Sequence, residues 1–368
     1  MALPIPNFIQ RDATTIISEM TADYEARTGK SLEPAQVESL LINAFAYREL
    51  LVRNQIQDAS LQNLVEFARF PMLDQLGALV GVTRLPSELA QTTLLLTLVS
   101  GHGDVVIPSG LRVNTTDGRA VFELIEDTTV LAGVDTVSAV FIAQTAGKAS
   151  NDYAIGTVSV ILDPQPYLAT ASNTSVTAGG SDEETDEQLR DRIKLAPSAF
   201  SNAGSYKAYE FWTKTASPLI IDVAVTNPIP GTVEIFPLMA NLSATPPEIL
   251  SSVSAVLNSD KIRPLTDTVV VTSPTAVNTV ITVGLILYAG AVQADIVPVV
   301  LANLEAFRDG RRKLLGQDIV IDQIKALCMI DGVYKANVSI PATDLIISET
   351  QFANITAINV TVTGTNVG

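Results

Sequence analysis

The chain has 368 residues, 47% hydrophobic and 17% charged, so it can bury sizeable cores and is not disordered by composition. Its net charge is −16, and beyond Arg311-Arg312-Lys313 it has no basic cluster, which argues against nucleic-acid binding. The one cysteine, Cys328, excludes an intrachain disulfide framework and suits a reducing compartment.

The start, MALPIPNFIQRD, lacks the basic and apolar regions of a signal peptide and reads as an extended arm over residues 1–12. Ala13–Arg27 reads as a helix, with Ile16, Ile17, Met20 and Tyr24 on one face. Pro34 opens a long helical stretch to about Phe70. Val37, Leu40, Leu41, Ala44, Tyr47, Arg48 and Leu51 form its stripe, at a spacing that approaches a heptad. Such a stripe fits packing against other helices in a bundle, and an internal core helix would carry the same pattern. Leu73–Gly81 is a further short helix.

From Thr92 the period changes. Thr92–Ser100, Val105–Pro108, Arg112–Asn114, Ala120–Glu123, Thr128–Leu131, Thr136–Ala143, Asn151–Gly156 and Thr157–Leu162 read as short strands between turn residues. Regular short strands predict a β-sandwich or small barrel.

Ala178–Ile193 follows, with five carboxylates in the six positions from Asp182 to Glu187. Gly179-Gly180 permits unusual backbone angles. Ser181 with Glu184 fits a capping box, and Thr185 offers a second helix start. Carboxylates in a first turn suit the helix dipole, and Asp186 or Glu187 can pair with Arg190. Asp182, Glu184 and Asp186 alternate as calcium ligands do, but the glycine such a loop needs is missing, so a capped helix is the better reading.

Ala203–Thr215 is predicted helical, then Leu219–Thr226 and Gly231–Pro237 as strands, Pro246–Ser259 as a helix and Thr268–Thr272 as a strand. This β-β-α-β order resembles half of a ferredoxin-like sandwich. Beyond it, Asn278–Tyr288 is a strand, Ala294–Arg308 and Ile319–Cys328 are helices, and Gly332–Ser339, Leu345–Ile347 and Gln351–Val362 are strand-like, with a frayed end from Gly364. The longest apolar stretch, Val280–Val292, is interrupted by Thr282, Gly284 and Gly290 and is too short to span a bilayer.

Catalytic patterns are missing from the sequence. The one histidine, His102, lies between glycines in what reads as a surface loop, and no nucleophile elbow, zinc spacing or dinucleotide fingerprint is present. Gly29-Lys30-Ser31 lacks the upstream glycine of a phosphate loop. One Trp and 5% aromatics are few for stacking sugars. Such a chain is most simply a binding or building protein.

Several stretches in order look like one family. GGSDEETDEQLRDRI within Ala178–Ile193 resembles the signature of the baseplate J-like family of contractile phage tails and related injection systems. Tyr24–Lys30, Ala68-Arg69 with Leu73–Gly77, Ile107–Gly110, Ala203–Ser205, Pro230–Val233 and Asp260–Asp267 are similar to further segments of it, whereas Phe70-Pro71-Met72 departs from its expected small link.

The resemblance implies a structural, non-enzymatic baseplate wedge component without cofactors, catalytic residues or metal. It would form a heteromeric wedge with a second wedge protein and join other copies of itself in a ring around the hub. It would also meet sheath-initiator and hub proteins and hold tail fibres, in a virion tail baseplate assembled in the host cytoplasm. A tail-associated receptor-binding or glycan-cleaving protein is the alternative. The expected fold is α+β and multi-domain, with an N-terminal helical region (1–89), a central small β domain (90–177), a helical hinge (178–218) and a C-terminal α/β region (219–368) of ferredoxin-like character, divided near 275. The expected interface residues are Val37, Leu40, Leu41, Ala44, Tyr47 and Leu51, with Arg190 and Arg192; contacts between wedges are expected from 219–368.

Overall fold

A computed structural model describes residues 3–199, 205–259, 262–264 and 266–367. The chain divides into two compact units, Met1–Arg84 with Thr185–Lys194, and Leu85–Glu184 with Leu195–Gly368.

The first unit is helical. α1 (Ala13–Thr28) starts where Oδ2 of Asp12 accepts from the Thr15 N–H at 2.7 Å. It ends at Gly29, whose left-handed φ of 66° closes a backbone bond to Glu25. α2 (Val37–Leu61) packs on α1 through a narrow buried stripe that includes Ile42 and Ala46. The predicted arm lies along α2: buried Gln57 accepts from the Phe8 N–H at 2.9 Å and donates to the Pro6 carbonyl at 2.7 Å.

α2 stops at Leu61 rather than near Phe70. The apolar spacing continues past that point, but Asn63 donates its side-chain amide to the Ala59 carbonyl and Gln62 takes the Arg69 N–H. These local side-chain bonds compete with the helical ladder, and residues 62–67 form turns instead. α3 (Met72–Leu79) then meets the middle of α4 (Asp186–Ala199) at Gly77, where an added Cβ would lie 2.8 Å from the Val82 carbonyl oxygen and 3.1 Å from Ile193.

The second unit begins with a β domain. Its strands are β1 (Gln91–Leu98), β2 (Val105–Ile107), β3 (Arg112–Thr115), β4 (Val121–Leu124), β5 (Thr128–Val130), β6 (Thr136–Ala143), β7 (Val158–Ile161) and β8 (Leu168–Asn173). Six of them form an antiparallel sheet in the order β7-β3-β4-β6-β1-β8, while β2 and β5 pair separately. Alternation puts Leu94, Leu96 and Leu98 of β1 on a buried face with Val113, Phe122 and Phe141.

The sheet curls until its edges nearly meet. Buried Asn173 on β8 joins them: its backbone carbonyl accepts from the Gly156 N–H at 3.0 Å, and its side chain accepts from the Val158 N–H of β7 at 2.9 Å. Of the two β architectures expected, this near-closed sheet is the barrel-like one.

Asn151–Gly156 is not a strand, since Asp152 sits at a left-handed φ of 62° and a 3-10 turn over Lys148–Ser150 precedes it. β8 was not foreseen, because LATASN has little of the β-branched and aromatic character that marks strands.

Next come α5 (Tyr206–Ala216), capped by Ser205, then β9 (Ile220–Ile229), β10 (Thr232–Met239), α6 (Pro247–Leu257) and β11 (Thr268–Val271). The first residues of the predicted Ala203–Thr215 helix, and Asp260, Lys261 and Leu265 of the Asp260–Asp267 motif, lie outside the described residues. The sheet order is β11-β10-β9, with β10 parallel to β11 and antiparallel to β9. Ile235, Val253 and Leu257 fill its core.

The last module holds β12 (Thr275–Tyr288), α7 (Gln293–Arg312), α8 (Ile321–Cys328), β13 (Val333–Ile340) and β14 (Gln351–Asn366). Its sheet runs β13-β12-β14, antiparallel then parallel. Ile281, Val283 and Leu285 pack against Val300 and Leu304 of α7 and Ile324 and Cys328 of α8. Burial pushes the Cys328 thiol up to about 11, as expected of an inert apolar filler. The end predicted to fray is strand as far as Asn366. The whole is a mixed α+β multi-domain chain with a near-barrel sheet.

Candidate assembly interface

The stripe predicted on α2 faces solvent. Val37, Leu40, Leu41 and Tyr47 are 53–68% exposed, Leu51 is 38% exposed, and Ala44 is exposed as well. At roughly 100° per residue these six lie within about a third of the helix circumference. The buried positions Ile42, Ala46 and Gln57 lie on the opposite side, against α1 and the arm. Phe45, Val52 and Ile56 widen the exposed apolar surface. Full burial of one such large side chain contributes about 1.5–3 kcal/mol, so several left in water on one face make this the candidate contact surface.

Arg190 and Arg192 are placed differently. Both lie on α4 and point into the first unit. The Arg190 guanidinium donates to the carbonyls of Val65 at 2.9 Å and Ala68 at 2.8 Å, satisfying oxygens that the end of α2 leaves outside a helical ladder. Arg192 is 4% exposed and reaches the Thr83 carbonyl at 3.3 Å. The two arginines therefore share the unit of the α2 stripe but lie away from its exposed face.

Beside them sits a residue that sequence reasoning missed. Arg84, 10% exposed, lies 2.6 Å from Asp186 and 2.7 Å from Asp74, so one guanidinium ties α3 to the first turn of α4. Burial opposes its charge, but the two carboxylates outweigh that and hold its pKa above the ordinary value. Burial likewise opposes the charge of Asp186, yet Arg84, the Phe70 N–H and nearby Arg190 bring its carboxyl below the ordinary range. Lys194 on α4 pairs with Glu66, and its hydrogen bond holds that carboxyl low too. The isolated Val-Thr-Arg-Leu context of Arg84 gives no sign of this role, whereas the acidic run at Asp186 does.

The acidic stretch does not converge on a site. Thr185 and Gln188 form the capping box, with the Thr185 N–H donating to Gln188 at 3.1 Å, and α4 begins at Asp186. The Ser181–Glu184 box is not used, because Glu184 is engaged elsewhere. In the second unit, buried Glu184 accepts from the Leu85 N–H at 2.9 Å, and Asp182 pairs with Lys148 at 2.9 Å. The backbone of Gly180 is clasped by the Asn151 side-chain amide, which donates at 2.7 Å and accepts at 2.9 Å. Glu183 and Glu187 face solvent. Among the described residues no group of three His, Cys, Asp or Glu side chains could hold a metal ion, and no helix is long and apolar enough to cross a membrane.

His102 is buried, contrary to the surface-loop expectation: its side chain has no exposed area, and its ring nitrogens lie 2.6 Å from the Gly103 carbonyl oxygen and 3.2 Å from that of Val134. The Gly101–Gly103 loop folds its one ring under the turn at Val134, where it has no approach for a substrate. A cleft of about 440 Å³ in the second unit runs between β1, Ser175–Gly179 and the start of α6; Glu248 is the one titratable residue lining it. It offers no acid–base pair and no nucleophile with a neighbouring base.

Known proteins share the order of parts of this chain. Four family models match in sequence order: the Baseplate J-like N-terminal domain over 38–90, the Baseplate J-like protein barrel domain over 93–180, the Baseplate J-like central domain over 201–273 and the Baseplate J-like protein C-terminal domain over 279–361. The chain belongs to the baseplate J-like family. Baseplate protein J of Escherichia phage P2 is 31% identical over 184 residues, which are 50% of this chain and 61% of the phage protein, so the match spans less than two thirds of that relative. A chain in the 6-fold symmetrised cryo-EM structure of the anti-feeding prophage (AFP) baseplate aligns with a TM-score of 0.45 and 11% identity, covering 94% of this chain and 90% of that one. Within the family frame, the α2 stripe from Leu40 to Leu51 lies in the N-terminal domain match, and the near-closed sheet corresponds to the barrel domain match.

Proposed function

We propose that this chain is a structural, non-enzymatic wedge component of the baseplate of a contractile tail or related injection system, located in the virion tail. In this reading it docks a second wedge protein through the exposed face of α2. The C-terminal region, 219–368, with its two three-stranded sheets of ferredoxin-like character, joins copies into a ring around the hub. Sheath-initiator proteins and tail fibres attach to that ring, and assembly takes place in the host cytoplasm. The helical region 1–89, β domain 90–177 and hinge 178–218 act as the separate parts of this scaffold.

The observation that carries the reading is the apolar face of α2. Val37, Leu40, Leu41 and Tyr47 are left in water on the side opposite the one that packs α1. A helix with one satisfied face and one apolar unsatisfied face fits an α-helical partner. Family membership and the carboxylates held by backbone and cations, rather than gathered in a cleft, support a scaffold over a catalyst.

The test is co-expression of the full chain with its second wedge protein. Leu40→Glu with Tyr47→Lys should abolish co-purification while leaving the unfolding midpoint of the isolated chain unchanged, because both side chains are exposed. Undiminished co-purification of the double variant overturns the interface.

A further inference from the structure

The chain's one basic cluster, Arg311-Arg312-Lys313, has no part in the reading above. It closes α7, with Arg308 one turn earlier. Residues 308–313 hold four cations and one carboxylate, Asp309, in a chain whose 39 acidic residues outnumber 23 basic ones. The carbonyls at a helix C-terminus favour cations, but they amount to about half an elementary charge. They account for one of these side chains and not for four.

The two central guanidinium groups are held without any counter-charge. Arg311 donates from Nη1 to the side-chain oxygen of Gln317 and from Nη2 to that of Gln323, each at 2.7 Å. Its guanidinium carbon lies 5.1 Å from the centre of the Phe307 ring. Two neutral oxygens and a ring face fix the group in place and leave its charge uncompensated. Arg312 buries its Nε without a hydrogen-bond partner. Among the described residues no carboxylate forms an ion pair with either arginine. The acids of neighbouring turns are committed elsewhere. Asp309 pairs with Arg308 at 2.8 Å, and Asp322 with Lys325 at 3.0 Å. Asp318 accepts from the Ile347 N–H and Asp344 from the Ile321 N–H, both at 2.8 Å.

We propose that the end of α7 docks an acidic segment of a partner protein, whose Asp or Glu side chains pair with Arg311 and Arg312. At roughly 100° per residue, Arg308, Arg311 and Arg312 fall within about 100° of the helix surface, so these cations share one side. Both central arginines are half-buried, which strengthens a charge-assisted hydrogen bond over one made in open water. Leu314 follows the cluster and is 46% exposed, an apolar contact that a protein segment uses and a free inorganic anion does not. A nucleic acid fits poorly, because its phosphates run on past the cluster over a chain of net charge −16. A short acidic segment meets the cations alone. This site differs in place and chemistry from the apolar face of α2, and it stands whether or not that face is an interface.

Fluorescence anisotropy of a labelled hexaglutamate peptide with the full chain, at low ionic strength, tests it. The wild type should bind the peptide saturably, and added salt should weaken binding. Arg312→Gln leaves the Arg311 bonds in place and should weaken binding about tenfold, and Arg311→Gln with Arg312→Gln should abolish it. Arg119→Gln removes an exposed charge from the turn between β3 and β4 and should change nothing. Arg312→Gln and Arg119→Gln should keep the wild-type unfolding midpoint; if the double variant folds poorly, these two alone decide. No binding by the wild type, or equal losses from Arg312→Gln and Arg119→Gln, overturns the site. Displacement of the peptide by inorganic phosphate at the same concentration would make the cluster a free-anion seat, and displacement by a DNA duplex would make it a nucleic-acid surface. Either result overturns the acidic protein partner.

Discussion

The Arg84 guanidinium lies 2.6 Å from Oδ1 of Asp186, a residue 102 positions later, and 2.7 Å from Oδ1 of Asp74. It is the charge-assisted fastening between α3 and α4 in the first unit, strengthened because the guanidinium is 10% exposed while the carboxylates are about 30% exposed. Removing it leaves two carboxylates facing each other without their cation. Arg84→Ala should lower stability by about 2 kcal/mol, below the full cost of breaking a buried pair because the carboxylates keep some solvent. Arg84→Lys should recover only part of this, since an ammonium lacks the fork that reaches both carboxylates. Urea denaturation of the variants, with an Arg84→Ala and Asp186→Ala double-mutant cycle, measures the coupling; a coupling near zero would remove the fastening role.

Asp222 on β9 responds to pH in the opposite sense from Asp186. Burial pushes its carboxyl above the ordinary value of 3.8, although the Leu315 N–H, bonded at 2.8 Å, and the nearby Lys214 charge pull it back part of the way. A carboxyl raised in the folded state contributes stability that is full below its ordinary pKa and is lost as pH rises through the folded value. Asp186 and Glu66 are lowered in the folded state, so their contributions are present above the ordinary value and lost as pH falls. Asp222→Asn keeps an acceptor for Leu315 and removes the titration. The variant should therefore gain on wild type as pH rises from about 4 toward neutrality, and show no gain below the ordinary value. Denaturation curves at three pH values across that span decide it; a gain that grows toward acid would reverse the assignment.

Gly180 and its neighbour Gly179 are required for different reasons, and substitution separates them. Gly179 has a left-handed φ of 90° with nothing closer than 3.9 Å to an added Cβ. Gly180 lacks room: a Cβ there would lie 2.5 Å from the Gly147 carbonyl oxygen, 2.9 Å from Asn151 Oδ1 and 3.1 Å from the Ala90 Cβ. Gly179→Ala should cost about 1–2 kcal/mol through its backbone conformation. Gly180→Ala should cost at least as much, about 2–3 kcal/mol, because it also displaces the Asn151 clasp. The loss of the Asn151 bonds should appear as faster amide exchange at Gly180 in the second variant and not in the first.

How much of this was legible follows from how local each cause is. α1, the alternation of β1 and β6, and the helix of Pro247–Leu257 rest on periodicity and end signals within a few residues, and they read correctly. The Gly-Gly pair and the helix start near Thr185 were legible for the same reason. The exposed α2 face was visible as a stripe, but its spacing fits a core helix equally well; only the burial of Ile42 and Ala46 on the other side places it in water. What escaped depends on distant partners. Arg84 gains its role from Asp186, and Arg190 from carbonyls at Val65 and Ala68. His102 is buried by the turn at Val134. The overextended helix past Leu61 failed because Gln62 and Asn63 compete for backbone groups, which apolar spacing cannot register.

Asn173 carries the closure of the barrel, and it too was invisible beforehand because LATASN does not read as a strand. Its side chain accepts from the Val158 N–H at 2.9 Å and donates to the Ala154 carbonyl at 3.0 Å and the Ser175 carbonyl at 2.8 Å, with 1% exposure. Asn173→Ala strands the buried Val158 N–H, and an unsatisfied buried group costs about 1–3 kcal/mol; the Ala154 carbonyl keeps its bonds from Thr157 and the Ser175 carbonyl keeps the Thr92 hydroxyl. A net loss of about 2 kcal/mol is expected, a sizeable share of a domain's stability. Asn173→Asp should be no better, since a carboxylate can accept from Val158 but cannot donate to the two carbonyls, and it buries a charge. Hydrogen exchange distinguishes edge opening from general loosening: the Val158 amide should lose protection by at least tenfold more than the Phe122 amide in the middle of the sheet. Equal losses at both positions would mean that the edges are held together by the core alone and that Asn173 is not their clasp.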